Sequence, residues 1–270
     1  MTTMPGRHHE LRLLRHALLV VLAAGSACGA EAVSAPAVAI SFDDNGLASL
    51  TYDGFEYLSN GRIGTTWNDA AIQRRLDGTT VAGDMKSSQL AVDAPHRTVV
   101  RTFAWGILRC IYTADGSRLS MTMFATNTSP LPIAALQLQA LELKFPGKPR
   151  EYDLVTPIMT ANIGAPTILP LTTDRSLVIA CNDDVDQPLS LGYPWANDRP
   201  AATVYPLYVD TGHRWNLPNS HPSIDRVIHP GCTDCYHLSL RFGPPTATLS
   251  QLAGDILAKF RQVHPSQLVW

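Results

Sequence analysis

An all-β fold, a large antiparallel β super-sandwich with one C-terminal helix, follows from three features of the sequence. Charged residues make up 16% of the chain, below the roughly one quarter usual for globular domains, which disfavours a helical bundle with charged outer faces. Twenty prolines and eighteen glycines cut the chain into short pieces joined by turns. The pieces are rich in β-branched and aromatic residues, and several alternate apolar with polar positions. With 270 residues and 45% apolar content, there is material for a large core.

Residues 1–30 read as a signal peptide. Arg7, His8, His9, Arg12 and Arg15 form a basic region, residues 17–24 (ALLVVLAA) an apolar run, and the small residues GSACGA follow, with cleavage after Ala27 or Ala30. The apolar run of eight residues is too short for a bilayer, which takes ~20. Cys28 follows small residues as a lipid-anchor cysteine does, although Gly25 stands where such signals carry a Leu-like residue. The expected location is secreted or periplasmic, with no membrane attachment beyond a lipid at Cys28. A formal charge of −2 gives no electrostatic case for nucleic acid or an anionic membrane.

Residues 31–245 are assigned to the sandwich. Residues 37–50 (AVAISFDDNGLASL) form a hairpin about an Asp-Asn-Gly turn. Turns at Asp53-Gly54 and Asn60-Gly61 extend it into a meander, and Asp77-Gly78 and Gly83-Asp84 mark further turns. Residues 97–112 (RTVVRTFAWGILRCIY) supply one or two strands. After Asp115-Gly116, residues 118–126 place Leu119, Met121, Met123 and Ala125 on one face, against Ser120, Thr122, Phe124 and Thr126. The loop NTSPLP leads to residues 133–145, where Leu136, Leu138 and Ala140 alternate with Gln137 and Gln139. Residues 156–171, with three prolines, read as loop with short β pieces, 176–181 (SLVIAC) as a buried strand and 236–242 (YHLSLRF) as the last strand. The period then changes. Leu249, Leu252, Ile256, Leu257 and Phe260 share one helical face, with Thr248 or Ser250 as cap and Asp255–Lys259 as an i,i+4 pair. Residues 246–270 are expected to be a helix and linker toward a further domain, because an apolar Leu-Val-Trp end is usually packed on something.

The polar chemistry concentrates in residues 182–229. Six prolines exclude a long helix there. Trp195 and Trp215 are interleaved with Tyr193, Tyr205 and Tyr208, and with acids, amides and arginines. Rings can stack on the apolar faces of sugars, while planar polar groups read pairs of hydroxyls. The binding residues expected from this stretch are Tyr193, Trp195, Asp198, Arg199, His213, Arg214 and Trp215.

Other constellations are weaker. Asn182, Asp184 and Asp186 alternate as at the start of a calcium loop, but Gln187, Pro188 and Tyr193 break the EF-hand pattern. His229, Cys232, Cys235 and His237 are zinc-type ligands, yet too crowded for a standard knuckle, and a local disulfide or thiols beside a turn are the alternatives. Cys110 and Cys181 sit in apolar runs and read as buried thiols. His213, His221, His229 and His237 recur every eight residues. Carboxylates suited to glycoside hydrolysis exist by type only, among them Glu56, Asp183, Asp184, Asp186, Asp198 and Asp210. Neither a nucleophile elbow nor a phosphate loop is present. Asn127-Thr-Ser matches a glycosylation sequon. No catalytic residue, metal site or cofactor is assigned.

The signal peptide, the opening DDNGLASLTYDGFEYL, the segment RLSMTMFATNTSPLPIAALQLQALEL and the closing LAGDILAKFRQVHPSQLVW together resemble the N-terminal β-domain of large secreted bacterial proteins, in which a galactose-mutarotase-like sandwich precedes a glycoside-hydrolase-type barrel. The resemblance implies a carbohydrate-associated, non-catalytic β-sandwich, a polysaccharide or oligosaccharide as partner, and a C-terminal barrel domain not contained in this chain. Two other readings remain: an aldose-mutarotase-like or glycoside-hydrolysing enzyme using His213, His221 and Asp198, and a purely structural interaction module.

Overall fold

The computed structural model describes residues 35–64, 69–86, 88–151, 168–185, 190–192, 204–211 and 227–263. Their strands form three antiparallel sheets.

The first two turns of the expected meander are present, with β1 (Ala39–Asp43), β2 (Gly46–Tyr52) and β3 (Phe55–Glu56) in that order, but the turn expected at Asn60-Gly61 does not extend it, because residues 58–60 leave this sheet to pair with residues 142–143 of another. The β2–β3 connection has positive φ at both Asp53 (48°) and Gly54 (68°). That is the two-residue turn whose twist matches antiparallel strands, and Asp-Gly suits it because glycine carries no Cβ penalty at positive φ.

The largest sheet has eight strands, ordered β12 (Arg150–Glu151), β13 (Ile168–Thr172), β14 (Leu177–Asn182), β17 (Thr233–Gly243), β10 (Arg118–Asn127), β9 (Gly106–Asp115), β8 (Thr98–Phe103) and β7 (Ser88–Asp93). Facing it is a six-stranded sheet built on β11 (Ile133–Lys144). On one side β11 pairs with β16 (Val204–Asp210), which pairs in turn with β15 (Ser190–Gly192). On its other side β11 pairs with β5 (Ala70–Arg74) and with β4 (Leu58–Asn60), and β6 (Thr80–Ala82) continues from β5.

The core between the sheets follows the pleat. Leu108, Cys110 and Tyr112 of β9, Leu119, Met121, Met123 and Ala125 of β10, and Tyr236, Leu238, Leu240 and Phe242 of β17 are all fully buried. The facing β11 contributes Leu136, Leu138, Ala140, Leu141 and Leu143. A run of rings ties the three sheets together. Tyr57 packs edge-on against Phe55, Phe242 and Phe145, with centroids 4.9, 5.1 and 6.1 Å away, and Phe242 stacks on Tyr52 at 5.2 Å. The Tyr57 hydroxyl is satisfied by the Ser176 hydroxyl at 2.6 Å, as a buried phenol requires.

Residues 97–112 form two strands, β8 and β9, and the last strand begins three residues before the expected start. The alternation in β11 does not separate core from solvent, because Gln137 and Gln139 are buried as well. Asn127 is fully buried. Its amide nitrogen donates to the Leu131 and Ile228 carbonyls at 2.8 Å each, and its oxygen accepts from Ser129. The sequon is thus a buried loop clamp, unavailable to a glycosyl donor in the folded chain. Glu56 is structural too, accepting the Leu50 and Leu58 amides at 2.9 and 2.8 Å and the Ser49 hydroxyl.

The helix α1 (Leu249–Val263) lies on the outer face of the eight-stranded sheet. Ala253, Ile256 and Phe260 are buried against Ile168, Leu177, Ile179 and Cys181, and Leu249, Leu252 and Leu257 flank them. A capping box starts it: the Thr248 amide donates to Gln251 Oε1 at 2.7 Å and the Gln251 amide to Thr248 Oγ1 at 3.3 Å. The expected Asp255–Lys259 pair is absent. Asp255 holds Arg241 of β17 and Lys259 donates to the Asp183 carbonyl at 3.1 Å, because both side chains face the sheet edge and not one another.

Phe260 is the largest ring of the helix face. Truncation by Phe260→Ala is expected to destabilise the chain by about 3 kcal/mol, measured by urea denaturation. A change below about 0.5 kcal/mol, the size typical of surface substitutions, would mean the helix is not docked as described.

Candidate functional site

The site grows from β17. Strand geometry sends successive side chains to opposite faces, so with Tyr236, Leu238, Leu240 and Phe242 in the core, Thr233, Cys235, His237, Ser239 and Arg241 line the outer face in one row. The neighbours add their own outer residues. In register, Phe124 of β10 stands beside Cys235, Thr122 beside His237 and Arg118 beside Arg241. On the other side β14 pairs Asn182 with Leu238, so Asp183 and Asp184, just past its end, arrive at the row. Asn182 shapes this exit: its side-chain oxygen accepts the Asp184 amide at 3.0 Å, and its nitrogen donates to the Asp184 carbonyl at 3.1 Å.

The half of the row under α1 is an ion-pair cluster. Arg241, 6% exposed in its side chain, donates to Ser239 Oγ at 3.0 Å, to the Leu252 carbonyl at 2.7 Å, and to Asp183 and both oxygens of Asp255. Asp183 also accepts from Arg118 and, at 2.8 Å, from Ser239 Oγ. A guanidinium this deeply desolvated is tolerable only with such partners. Burial opposes its charge, but the bond to Asp255 and the nearby carboxylates outweigh burial and hold its pKa above the ordinary arginine value.

The half beyond the helix is open to chemistry. The Asp184 carboxylate, 13% exposed, receives His237 Nδ1 at 2.9 Å and the His237 backbone amide at 2.8 Å. A carboxylate only accepts, so Nδ1 carries the proton and Nε2 is left for a further partner. That partner is Cys235, whose Sγ lies 3.7 Å from Nε2. His237 is about half exposed and Cys235 partly so. Thiol, imidazole and carboxylate thus stand in line. The other two strand cysteines are unlike this one: Cys110 and Cys181 are fully buried, as expected of them, and burial pushes both thiols up to about 12.

The residues expected to carry function divide accordingly. Tyr193, Trp195, Asp198, Arg199, His213, Arg214 and Trp215, with His221 and Asp186, lie outside the described residues. Their attachment points are described: the stretch 193–203 leaves β15 and returns into Val204 of β16, and residues 212–226 run from Thr211, next to Asp210, to Val227. Val204 and Asp210 are six steps apart on β16, roughly 20 Å at ~3.4 Å per residue. Asp210 itself is fully buried. The His229–Cys232–Cys235–His237 group does not converge. Among the described residues no group of three or more His, Cys, Asp or Glu side chains is placed to hold a metal. A Cys232–Cys235 bridge is absent, as extended backbone separates such positions by about 10 Å, beyond the ~7 Å that a disulfide spans. What sequence reasoning missed is that Asp184 and His237, assigned to separate calcium-like and zinc-like patterns, meet. The signal was the alternation of 236–242, which, carried back to the observed start at Thr233, places Cys235 and His237 on one face.

No family model matches the chain, and no curated protein does. By structure it is similar to a polysaccharide lyase, with a TM-score of 0.50 and 9% identity over 83% of this chain and 34% of that one. The chain therefore spans about a third of that lyase's length. The likeness is one of fold. A protein of Escherichia coli K12 proposed to be an aldose 1-epimerase gives a TM-score of 0.48 at 10% identity, covering 77% of this chain and 96% of that one. A galactose mutarotase related enzyme from Lactobacillus acidophilus gives 0.44 at 9% identity, covering 78% and 96%. The all-β super-sandwich that the sequence resemblance implied is the fold of this chain.

The ion-pair cluster makes attachment of the helix pH-dependent. Burial raises the Asp255 carboxyl, but the hydrogen bond and charge of Arg241 outweigh it and hold the group below its ordinary value. A carboxyl depressed in the folded state contributes stability that is present above its unfolded value of ~3.9 and is lost as pH falls through the folded one. The clamp is then intact at neutral pH and its contribution declines as pH falls below the unfolded value toward the depressed one, by a modest amount because Asp255 is more than half exposed. Thermal unfolding should show Asp255→Asn less stable than the parent at pH 7 and its Tm falling less steeply between pH 5 and 2.5. Parallel curves would separate the carboxylate from helix attachment.

Proposed function

We propose that the protein is an exported, carbohydrate-associated β-sandwich that binds a polysaccharide or oligosaccharide without transforming it. The observation that carries the reading is the fold shared with part of a polysaccharide lyase, over 83% of this chain. The composition of the two stretches attached to β16 supports it. Tyr193, Trp195 and Trp215 offer rings to the apolar faces of sugars, and Asp198, Arg199, His213 and Arg214 offer hydrogen bonds to hydroxyl pairs. Rings lose little conformational freedom on binding, so they dominate recognition surfaces of this kind. In this reading the sandwich works beside a catalytic domain of glycoside-hydrolase type and supplies grip to it.

Affinity gel electrophoresis of the chain in gels cast with neutral and with uronate-containing polysaccharides tests the proposal. Retardation is expected in at least one gel, and Trp195→Ala with Trp215→Ala should weaken it by tenfold or more, the effect of losing ~1.4 kcal/mol. Identical mobility of parent and variant in every gel would overturn it, and turnover of the polysaccharide by the chain alone would overturn the non-catalytic part.

A further inference from the structure

We propose that Cys235, served by His237 and Asp184, is a nucleophilic thiol that forms a mixed disulfide with low-molecular-weight disulfides. This goes beyond the carbohydrate reading and does not depend on it. The geometry is that of an activated thiol: Asp184 fixes the imidazole by Nδ1 at 2.9 Å and by the backbone amide of the same residue at 2.8 Å, which leaves Nε2 facing Sγ at 3.7 Å. The ring needs no rearrangement to take the proton, and the carboxylate behind it stabilises the imidazolium that results. Register fixes all three groups. Cys235 and His237 are two apart on one strand face, and Asp184 is delivered by the pairing of β14 with β17.

The same geometry selects the reaction. Acyl transfer needs backbone or side-chain donors free to hold a developing oxyanion. The two amides beside the thiol are taken: Cys235 N–H donates to Asp234 Oδ1 at 3.2 Å and His237 N–H to Asp184 Oδ2 at 2.8 Å. Both acceptors are carboxylates, which repel an oxyanion. Disulfide exchange needs no such donors. It needs a thiolate, an exposed approach and a leaving thiolate. The Cys235 S–H proton passes to His237 Nε2, and the sulfur lone pair attacks one sulfur of R–S–S–R. The S–S bond breaks as the Cys235–S–S–R bond forms, and RS⁻ leaves and takes the proton from the imidazolium. The cysteine sulfur is oxidised and the departing sulfur reduced, with the small disulfide as oxidant. A second exchange with Cys232 is closed to the folded strand by the ~10 Å of extended backbone between the two positions, so the mixed disulfide is the end product. Charged groups on the surrounding elements are Asp183, paired with Arg118 and Arg241, Asp234 on β17, Arg109 stacked on Phe124 of β10, and Lys259 of α1. Among them only His237 places an unprotonated ring nitrogen against the thiol.

The four cysteines beyond residue 30 test this within one molecule. The full chain is treated with 4,4′-dithiodipyridine at pH 6.5, quenched in acid, digested with pepsin, and each cysteine's mixed disulfide is followed by mass. Cys235 should react at least tenfold faster than Cys232, although Cys232 is the more exposed, and Cys110 and Cys181 should stay unmodified, which reports in the same digest that the sandwich is folded. His237→Gln should slow Cys235 about tenfold and leave Cys232 unchanged. Asp184→Asn, whose amide oxygen still accepts the His237 backbone N–H, should slow it by a smaller factor. Equal rates at Cys235 and Cys232 in the parent would overturn the proposal. So would a His237→Gln variant whose Cys235 reacts as fast as the parent's. Should either variant fold poorly, the parent's Cys235 rate between pH 5.5 and 8 decides alone: a ratio to Cys232 that grows toward low pH supports the activated thiol, and a constant ratio overturns it.

Discussion

The structure depends on one constraint, the strict alternation of β17 between two neighbours. A strand with hydrogen-bonded partners on both sides cannot slip by one residue without turning every side chain to the other face. Here a slip would expel Tyr236, Leu238, Leu240 and Phe242 from the core and bury Cys235, His237 and Arg241 in their place. The first half of that exchange forfeits roughly 1.5–3 kcal/mol per apolar side chain, and the second buries a charge among rings. The register is therefore fixed by the core. The outer row inherits its order from it, and the contents of that row are what chemistry has to work with.

That row divides because the helix covers only part of it. Where α1 lies, Ser239 and Arg241 are buried and the arginine must be compensated on every side, by Asp183, Asp255, Ser239 and the Leu252 carbonyl. Such a cluster adds little net stability compared with an apolar contact of equal size, but removing one partner strands the others. Its contribution is to fix where the helix sits, since Arg241 reaches both the Leu252 carbonyl and the Asp255 carboxylate one turn on. Past the helix, the same face carries an imidazole and a thiol within reach of solvent. Asp183 and Asp184 sit on either side of this division: the first neutralises arginines, the second orients a histidine.

Much of the architecture was legible because strand and helix periods are local properties. The faces of residues 118–126, the alternation of 236–242, the Asp-Gly turns and the helix from 249 are each written within a dozen residues and reappear in the fold. Strands β5, β6 and β7 were not read, because segments such as AAIQR and SQLAVD mix polar and apolar residues and are strands only through pairing with β11 and β8. Long-range meetings were equally hidden. Nothing in the spacing of Asp184 and His237, 53 positions apart, announces that they touch, and Arg241–Asp255 replaced the local Asp255–Lys259 pair for the same reason. The aromatic and charged residues 193–199 and 213–215, which composition singles out, lie outside the described strands, so the expectation about them rests on side-chain chemistry and on where β15 and β16 hold their ends.

The pairing of β17 with the end of β14 is what brings Asp184 to His237. Nitrogen-resolved NMR of the His237 ring at pH 7 tests this most directly, because the tautomer of an imidazole reports which nitrogen has an acceptor. The structure requires Nδ1 to be protonated, with a slowly exchanging proton that disappears in Asp184→Asn. A ring protonated on Nε2 alone, or one averaging freely between tautomers as in solvent, would contradict the register from which the site is built.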